Sequence, residues 1–509
     1  MQIKITTGDI TASQADTVIT NLFEGVTAPA GATNALNRAL NGTIRQLIDS
    51  GDITGRQNEI TVIYPHGAIP AQRVLIVGLG QRDKFSLETV RVAMSTAMQH
   101  ARKLNAKNVA TIVHGAGVAG LPAEPATQAT IEGAVLGLHQ YHGLKAPADN
   151  EPTIETLTIT EIDTTKLDDI KTGLAAAQAI TAGVTLARDL LLAPPNVATP
   201  TFLAETAAQI AADHGLTVTI GDRAWAAEHK MGAFLAVAQG SSDEPRFIIL
   251  EHNADRADEL DTLVFVGKGV TFDTGGISIK PTAGMVDMKT DMGGAAAVLG
   301  AMKAVAALNI PLHIVGLAPC TDNKPDAAAY RPSDVITASN GKTIEIISTD
   351  AEGRMCLADA LVYAERFNPS AVIDLATLTG SCVVALGQGI AAGLFTNYDF
   401  LRDQLVAAGD ASHERVWPLP LWSDYRSAID SDVADMKNSG GRFGGVSTSA
   451  IFLREFTNYP WVHLDIAGMA YTNQTANPYA TKKATGYGVR LLTEFARRWQ
   501  PEAEIGANS

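Results

Sequence analysis

Two stretches of the sequence place acidic residues among glycines, directly after apolar segments. The first contains Asp273 and Asp291, and the second contains Asp350 and Glu352. Glycines at such positions let the backbone turn tightly beside a bound group. We therefore expect these four acids on loops at strand ends. In extended geometry Asp350 and Glu352, two residues apart, would project to the same side.

Metal binding is the chemistry that such a set of acids favours. Four carboxylates at one site repel each other unless they are protonated or neutralised by cations, and two divalent ions sharing carboxylates would neutralise them. An oxygen-rich set without Cys or His favours hard ions such as Mn²⁺ or Mg²⁺, and Zn²⁺ can also be bound through carboxylates. Taken singly, each acid could be a helix cap or a surface residue. The two stretches together favour a metal site.

A glycine pattern upstream, Gly115-x-Gly117-x-x-Gly120, matches the fingerprint of dinucleotide-binding turns. Pro122 and Pro125 indicate that no helix opens on this turn, and no acid ends a strand about 20 residues later, as ribose binding would need. We therefore predict an ordinary glycine-rich turn. The sequence contains no G-x-S-x-G, H-E-x-x-H or P-loop motif.

Alternating strand and helix patterns surround these motifs and predict an α/β protein. In the upstream part we predict strands at 73–78 and 108–113 and helices at 87–104 and 127–141. Helical spacing of apolar residues then continues to Pro194 and predicts a long connecting helix. Downstream we predict strands at 246–251, 263–266, 312–317, 344–348 and 371–375, and helices at 294–308 and 354–366. Ligands of such a domain are expected at the carboxyl ends of its strands.

Composition limits the classes of function. A chain of 509 residues is long enough for more than one domain, and 46% hydrophobic with 18% charged residues is typical of a folded protein. A net charge of −15 disfavours broad binding of polyanions such as nucleic acid.

The cysteines and the amino terminus indicate the compartment. Cys320, Cys356 and Cys382 have no C-x-x-C spacing, which predicts neither a disulfide framework nor a thiolate zinc site and favours a reducing compartment. The amino terminus lacks the pattern of a signal peptide, and no apolar stretch reaches the roughly 18 residues of a spanning helix. We therefore predict a cytoplasmic protein without membrane partners.

At these acidic stretches the sequence resembles the leucyl (cytosol) aminopeptidases, the M17 family of metallo-aminopeptidases. The resemblance covers the downstream domain, while the upstream domain matches only in its general α/β character. It is carried by Val-Gly-Lys-Gly at 266–269, Asp-Ala-Glu-Gly-Arg at 350–354, Trp-Val-His-Leu-Asp-Ile-Ala-Gly-Met at 461–469 and Ala-Thr-Gly-Tyr-Gly-Val-Arg at 484–490.

The resemblance implies a fold and an assembly. We expect a variable N-terminal α/β domain at 1–165, a connecting helix at 166–195 and a C-terminal α/β catalytic domain at 196–509 with a mixed central sheet. The family assembles as homo-hexamers of two stacked trimers, which implies the same assembly here.

Matching the family motifs residue by residue implies specific roles. The implied metal ligands are Lys268, Asp273, Asp291, Asp350 and Glu352. The implied catalytic residues are Lys280, which would stabilise the oxyanion, and Arg354, which would anchor a bicarbonate acting as general base. The implied residues of the pocket for the first side chain are Met288, Thr377, Gly380 and Ala467. The cofactors implied are two divalent ions per subunit, Mn²⁺ or Zn²⁺ with Mg²⁺ as a further candidate.

Two features of these motifs bear on the implied roles. A lysine can coordinate a metal only when neutral, so Lys268 would need a strongly lowered pKa. The family usually has Asn before Thr-Asp-Ala-Glu-Gly-Arg, whereas this chain has Ser348. The change spares every implied ligand and questions only the local hydrogen bonding.

The resemblance implies release of N-terminal Leu or other apolar residues from short peptides by two-metal hydrolysis. A two-metal phosphoesterase is an alternative, because paired ions also bind phosphoryl groups. A DNA-binding role, which some family members add through the N-terminal domain, is a second alternative. The acidic balance argues against it, and DNA binding would need a local basic patch such as one including Arg91, Arg102, Lys103 and Lys107.

Overall fold

The computed structural model describes residues 1–117, 119–145, 151–473, 477–480 and 483–502. These residues form two compact units, one made of 1–181 with 477–480 and the other of 182–473 with 483–502. A search of the described helices finds none with the length and apolar character needed to cross a membrane.

The first unit is a six-stranded sheet with helices on both faces. Its elements are β1 Gln2–Thr7, β2 Thr17–Leu22, α1 Gly31–Ala39, α2 Thr43–Asp49, β3 Ile60–Ile63, β4 Arg73–Gly78, α3 Leu87–Lys103, β5 Asn108–Thr111, α4 Ala123–Leu138, β6 Thr156–Glu161 and the first part of α5 Leu167–Leu192. The strand order is β1-β6-β5-β2-β4-β3, and all neighbours are parallel except β3 and β4.

Successive residues of β2 show how the sheet separates two cores. Val18 packs with Leu36 of α1 on one face, and Ile19 packs with Met94 of α3 and Ile131 of α4 on the other. This follows from the period of two along a strand, which sends neighbouring side chains to opposite faces. Helices α1 and α4 therefore lie on opposite sides of the sheet.

The helix predicted at 127–141 is observed as α4, which does not open on the Gly115–Gly120 turn but begins closer to it than predicted. Helix α4 begins at Ala123 with Pro122 as its N-cap residue, and Pro125 lies in its first turn. The first turn tolerates proline because its N–H groups have no partner inside the helix. For the same reason α4 begins four residues before the predicted position at 127.

The second unit contains the remaining elements. Its strands are β7 Thr217–Gly221, β8 Arg246–His252, β9 Thr262–Gly267, β10 Gly269–Asp273, β11 His313–Asn323, β12 Val335–Thr337, β13 Thr343–Glu345, β14 Ala371–Ala376, β15 Ala392–Phe395, β16 Val416–Pro418, β17 Met436–Lys437 and β18 Trp461–Asp465. Its helices, after the end of α5, are α6 Pro200–His214, α7 Arg223–Glu228, α8 Gly232–Ala238, α9 Thr282–Met285, α10 Gly293–Ala307, α11 Glu352–Ala364, α12 Gly380–Leu386, α13 Asp399–Ser412, α14 Gly445–Arg454 and α15 Val489–Arg497.

A mixed nine-stranded sheet forms the centre of this unit, in the order β16-β15-β18-β14-β9-β11-β8-β7 with β10 beside β11. The four middle strands, β18, β14, β9 and β11, are parallel and buried along their length. Continuous apolar runs are typical of such strands because helices cover both faces. The strands predicted at 246–251, 263–266, 312–317 and 371–375 are confirmed, and β11 extends six residues further than predicted.

Close approach of backbones fixes one helix against this sheet. A Cβ atom on Gly294, in the first turn of α10, would lie 2.0 Å from the carbonyl oxygen of Leu375 in β14. Lys268 is held at the same place, because its N–H donates to Leu375 O at 3.0 Å and its carbonyl accepts from Ala295 N at 2.8 Å. Glycine therefore lets α10 begin directly beside the strand ends.

A buried histidine links two strands of the first unit. His114 Nδ1 lies 2.7 Å from Asn21 Nδ2, and its Nε2 lies 2.9 Å from Thr111 Oγ1. Burial lowers the pKa of His114 from 6.5 to about 4. The folded state therefore binds fewer protons than the unfolded state between these two values, and acidification through this range favours unfolding.

We expect the first unit to lose about 2 kcal/mol of stability between pH 7 and pH 5 through His114. His114→Gln, which cannot titrate, should lack this loss. Hydrogen exchange of peptides covering 17–22 and 108–111, corrected for intrinsic rates, measures it separately from the second unit. Equal pH dependence in both proteins would contradict the assignment.

Candidate metal centre

Strand ends supply the first part of the centre. Lys268 lies between β9 and β10, Asp273 is the last residue of β10, and Asn323 is the last residue of β11. Thr377 follows β14. Because these strands are parallel neighbours, their carboxyl ends meet at one edge of the sheet.

Helix starts supply the second part. Asp291 lies two residues before α10, and Glu352 is the first residue of α11. Asp350 lies in the turn that precedes α11. The expected extended geometry of Asp350 and Glu352 is therefore wrong, because β13 ends at Glu345 and the chain turns into a helix. An acid in the first helical turn is favourable beside the positive end of the helix dipole.

Lys268 pairs with two of the acids. Its Nζ lies 2.7 Å from Asp291 Oδ2 and 2.8 Å from Glu352 Oε1, and it donates to Thr377 O at 3.1 Å. A Cβ atom on Gly353 would lie 2.4 Å from Lys268 Cε, so the glycine in this motif makes room for the lysine.

Lys280 pairs with the other two acids. Its Nζ lies 2.8 Å from Asp273 Oδ2 and also contacts Asp350 Oδ1. One oxygen from each of Asp273, Asp350 and Glu352 falls within 4.8 Å of the others, a grouping that could hold a metal ion. The structure thus brings together the five implied metal ligands and Lys280, and the position of Arg354 is described below.

The electrostatics of the centre fit divalent cations. Burial raises the pKa of Asp273 and Asp350, and raises that of Asp291 well above its ordinary value. The four carboxylates form ion pairs with two lysines, so the acids outnumber the cations paired with them. Among the described residues, the buried Glu352 Oε2 has no hydrogen-bond partner. An oxygen-rich set with an unsatisfied acceptor is what a hard cation requires.

When Lys268 pairs with these acids it is protonated, whereas a lysine that binds a metal ion must be neutral. Burial by itself lowers its pKa, and the carboxylates of Asp291, Glu352 and Asp273 more than offset that effect, so its pKa is raised. Coordination would therefore require loss of the proton as cations replace it in neutralising the acids.

Arg354 is buried beside the first turn of α11. Its Nη1 donates to Asn438 O and its Nη2 to Ser449 Oγ, both at 2.7 Å. Its Nε is buried and has no partner among the described residues. Burial lowers its pKa to about 10. Arg354 is thus held by two neighbours and retains a donor for an anion.

Ser348 has a definite role in the turn that carries Asp350. Its hydroxyl accepts from Asp350 N at 3.2 Å, and its backbone is held by Asn438, which accepts from Ser348 N at 3.3 Å and donates to Ser348 O at 2.7 Å. A serine hydroxyl can stabilise a turn two residues on in this way. The replacement of the usual Asn therefore leaves the turn ordered.

The predicted pocket residues lie on neighbouring segments. Thr377 Oγ1 donates to Asp291 Oδ1 at 2.8 Å, and half-buried Met288 lies on the short 3₁₀ helix that precedes Asp291. Gly380 opens α12 with open space at its Cβ position, and Ala467 N donates to Asp465 Oδ1 at 3.2 Å.

Asn323 and Asp465 are two buried residues that the sequence analysis did not identify. Asn323 donates to Asp273 Oδ1 at 2.8 Å and to Thr349 O at 3.0 Å, so it positions a candidate ligand. Asp465 accepts from Thr379 Oγ1 at 2.6 Å and thereby joins the start of α12 to the loop after β18. Their signal was present in the sequence: each is a polar residue at the carboxyl end of an apolar strand.

Comparison with known families gives two matches. The catalytic domain of the cytosol aminopeptidase family matches residues 185–493, and the N-terminal domain of the same family matches residues 19–148. A probable cytosol aminopeptidase of Roseiflexus castenholzii is 43% identical over 98% of this chain and 99% of its own length. One from Geotalea uraniireducens is 44% identical over 91% of this chain and 92% of its own length.

Solved structures show the same similarity. A mutant of tomato leucine aminopeptidase is 35% identical with a TM-score of 0.85 and covers 98% of this chain and 97% of its own. The bottromycin maturation enzyme BotP in complex with Mn is 34% identical with a TM-score of 0.82 and covers 95% of this chain and 99% of its own.

In metal-free protein, Lys268→Met should cost about 3–5 kcal/mol, because it leaves buried Asp291 and Glu352 without their cation. The control Lys342→Met breaks the half-exposed pair with Glu455 and should cost about 0–1 kcal/mol. Urea unfolding in EDTA, followed by tryptophan fluorescence, measures both, since all five tryptophans lie in the second unit. Equal losses would show that the acids do not depend on Lys268.

Proposed function

The chain belongs to the cytosol aminopeptidase family and is a metal-dependent aminopeptidase, and from this premise we propose that it uses two divalent ions to release N-terminal leucine and other apolar residues from short peptides. The observation that carries the two-ion proposal is the convergence of four carboxylates on two lysines at one strand edge. Once Lys268 is neutral, as a metal ligand must be, the four carboxylates exceed the remaining lysine by three charges, which one divalent cation cannot neutralise.

We assign the ligands as the sequence motifs imply. Asp273 and Glu352 would be shared between the ions, with Lys268, Asp291 and Asp350 completing the set. Bound divalent ions polarise a carbonyl and lower the pKa of a water molecule, which provides a nucleophile near neutral pH. The bound manganese of the BotP structure supports Mn²⁺ as one candidate, with Zn²⁺ and Mg²⁺ as the others.

Lys280 would stabilise the negative charge that develops on the substrate carbonyl oxygen. The carboxylates of Asp273, Glu352 and Asp350 outweigh the effect of burial and raise its pKa, so it stays cationic at neutral pH. Its side chain is 21% exposed, so it can reach a bound substrate as well as its two acids. A positioned cation of this kind acts mainly in the transition state.

Arg354 would hold a bicarbonate that takes a proton from the attacking water. Its two terminal nitrogens are anchored by Asn438 and Ser449, and its Nε, which has no partner in the part of the chain that the structure describes, would donate to the anion. A positioned base of this kind contributes by removing a proton in the transition state.

Met288, Thr377, Gly380 and Ala467 would form the pocket for the first side chain. The absence of charge in this set favours apolar residues such as leucine, because a buried charged side chain would lack a partner.

We also propose a cytoplasmic homo-hexamer of two stacked trimers. Large apolar side chains of the second unit support an interface between subunits. Trp417, Trp422 and Phe443 are 61%, 65% and 88% exposed. Exposed aromatic residues of this size are typical of protein contacts. A shielded active site would admit short peptides and exclude folded chains.

Turnover of a panel of aminoacyl amides and phosphate monoesters tests the function, after EDTA treatment and addition of Mn²⁺, Zn²⁺ or Mg²⁺. We expect metal-dependent hydrolysis of the amides, greatest for leucine.

Glu352→Ala should lose both bound metal and turnover. Lys280→Ala should keep its metal and lose kcat by about 10²- to 10³-fold. Lys342→Ala is the control with unchanged kcat. Preference for phosphate esters, or full activity of Glu352→Ala, would refute the proposal.

Light scattering tests the assembly. With a chain mass of 53.5 kDa, we expect a particle of six chains at micromolar concentration. Phe443→Ser should shift the distribution toward smaller species if this face lies between subunits. A particle of one chain mass for the unaltered protein would refute the hexamer while leaving the peptidase assignment intact.

A further inference from the structure

A cavity of about 400 Å³ lies within the first unit, and none of its lining residues belongs to the metal centre. Its volume falls in the range of small-molecule sites, roughly 300–1,000 Å³. Residues that directly follow or end the parallel strands line it: Gly8 and Asp9 after β1, Asn21 in β2, Leu79 after β4, Ile112 and Val113 after β5, and Glu161 at the end of β6. The cavity therefore opens at the carboxyl edge of the sheet.

The topology of the sheet makes this edge a binding crevice. Strands β2 and β5 are parallel neighbours, but the helices that follow them, α1 and α4, pack on opposite faces. The loops leaving the two strands consequently diverge and leave a gap between them. Ligands of open α/β sheets bind at this kind of switch point, outside the carboxyl ends of the strands.

One side of the cavity suits an anion. The first turn of α1, residues 30–33, lines it, and the N-cap residue Ala30 provides no side-chain acceptor for the free N–H groups. Arg38 and Lys166 line the same cavity, and Lys166 Nζ lies 3.7 Å from Asp163 and donates to Ala116 O at 3.2 Å. Three acids also line it, namely Asp9, Glu161 and Asp163, of which Asp9 and Asp163 each accept a hydrogen bond from the backbone N–H two residues on. The N–H groups at the start of α1, together with Arg38 and Lys166, are the groups of this lining that can bind a phosphate.

Hydrogen bonds fix the orientation of the Asn21 amide, and Asn21 lines the cavity. Thr111 Oγ1 donates to Ile19 O at 3.2 Å, so it must accept from His114 Nε2–H. His114 Nδ1 then carries no proton and accepts from Asn21 Nδ2 at 2.7 Å. The amide of Asn21 is thereby oriented, and its Oδ1 is directed away from the histidine. Asn21 itself lines the cavity.

The remaining walls are apolar. Phe23, Leu79, Ile112 and Val113 contribute to them, and Phe23 is fixed by an edge contact with Phe85 at a centroid distance of 5.0 Å. An apolar wall with an aromatic ring suits the flat face of a nucleobase, and the carboxylate of Glu161 can accept hydrogen bonds from ribose hydroxyls.

We propose that this cavity binds a nucleoside phosphate, with the base against the Phe23 wall and the phosphate at the first turn of α1 beside Arg38 and Lys166. The ligand contacts only residues of the first unit, so the site is separate from peptide hydrolysis. The glycine-rich turn contributes Gly115 and Gly117 to its lining. That turn does precede a helix, as nucleotide-binding turns do, although its helix begins three residues after Gly120.

Calorimetric titration of the full-length protein tests this site, with ADP, adenosine and inorganic phosphate as probes in buffer without added metal. We expect ADP to bind at least about tenfold more tightly than either adenosine or phosphate, because it engages both halves of the cavity. Arg38→Gln should weaken ADP by at least about tenfold and leave adenosine within about twofold. Arg45→Gln is the matched control on the next helix, outside the cavity, and should change neither.

Two further variants distinguish binding in this cavity from binding at the metal centre. Gly117→Leu should abolish binding of both ADP and adenosine, because a Cβ there meets no atom within 4 Å and its side chain can fill the cavity. Glu352→Ala, in the metal centre, should leave ADP binding unchanged. Peptidase activity of Arg38→Gln and Gly117→Leu serves as the check of folding. Absence of ADP binding, equal effects of Arg38→Gln and Arg45→Gln, or loss of ADP binding in Glu352→Ala would overturn the proposal.

Discussion

Neutralisation of four crowded carboxylates is the constraint on which the second unit depends. Asp273, Asp291, Asp350 and Glu352 lie at one strand edge, where burial raises the pKa of the first three. Each lysine of the centre bridges two acids, so every acid has one cationic partner and the group still carries excess negative charge. Divalent cations would complete the neutralisation, which links metal binding to the stability of this region.

The backbone around the centre is organised to allow this crowding. The parallel strands deliver Lys268, Asp273 and Thr377 to the same edge, and α10 and α11 begin there with Asp291 and Glu352 at or beside their first turns. Gly294 and Gly353 remove the side chains that would otherwise collide with Leu375 O and Lys268. The glycines in the motifs therefore allow helices and strand ends to pack closely, in addition to allowing tight turns.

The first unit follows the same structural rule with different chemistry. Its parallel strands also end at an edge where loops and a helix start converge, but the lining there combines apolar side chains, an uncapped helix start, two cations and three acids. A shared architecture thus places the candidate metal ligands in one unit and the lining of the proposed nucleotide site in the other. The difference arises from the side chains at strand ends, since the sheets themselves place those positions alike.

The sequence by itself determined the buried central strands β9, β11 and β14 and which residues carry charge at strand ends. Apolar runs such as 371–375 predicted buried strands, and the acidic, glycine-rich stretches predicted a metal site, because hydrophobic period and residue chemistry are local properties. The family motifs added Lys268 as an implied ligand, which no argument from residue type would have selected.

Only the tertiary structure decided how those residues meet. The pairing of Lys268 with Asp291 and Glu352, and the support of Asp273 by Asn323 at 2.8 Å, join segments far apart in the chain. The start of α4 despite Pro122 and Pro125, and the helical placement of Glu352, also depended on context, because the ends of elements respond to neighbouring packing as much as to local propensity. Spatial proximity across a sheet edge is set by strand order, and strand order is a property of the whole fold that no local pattern contains.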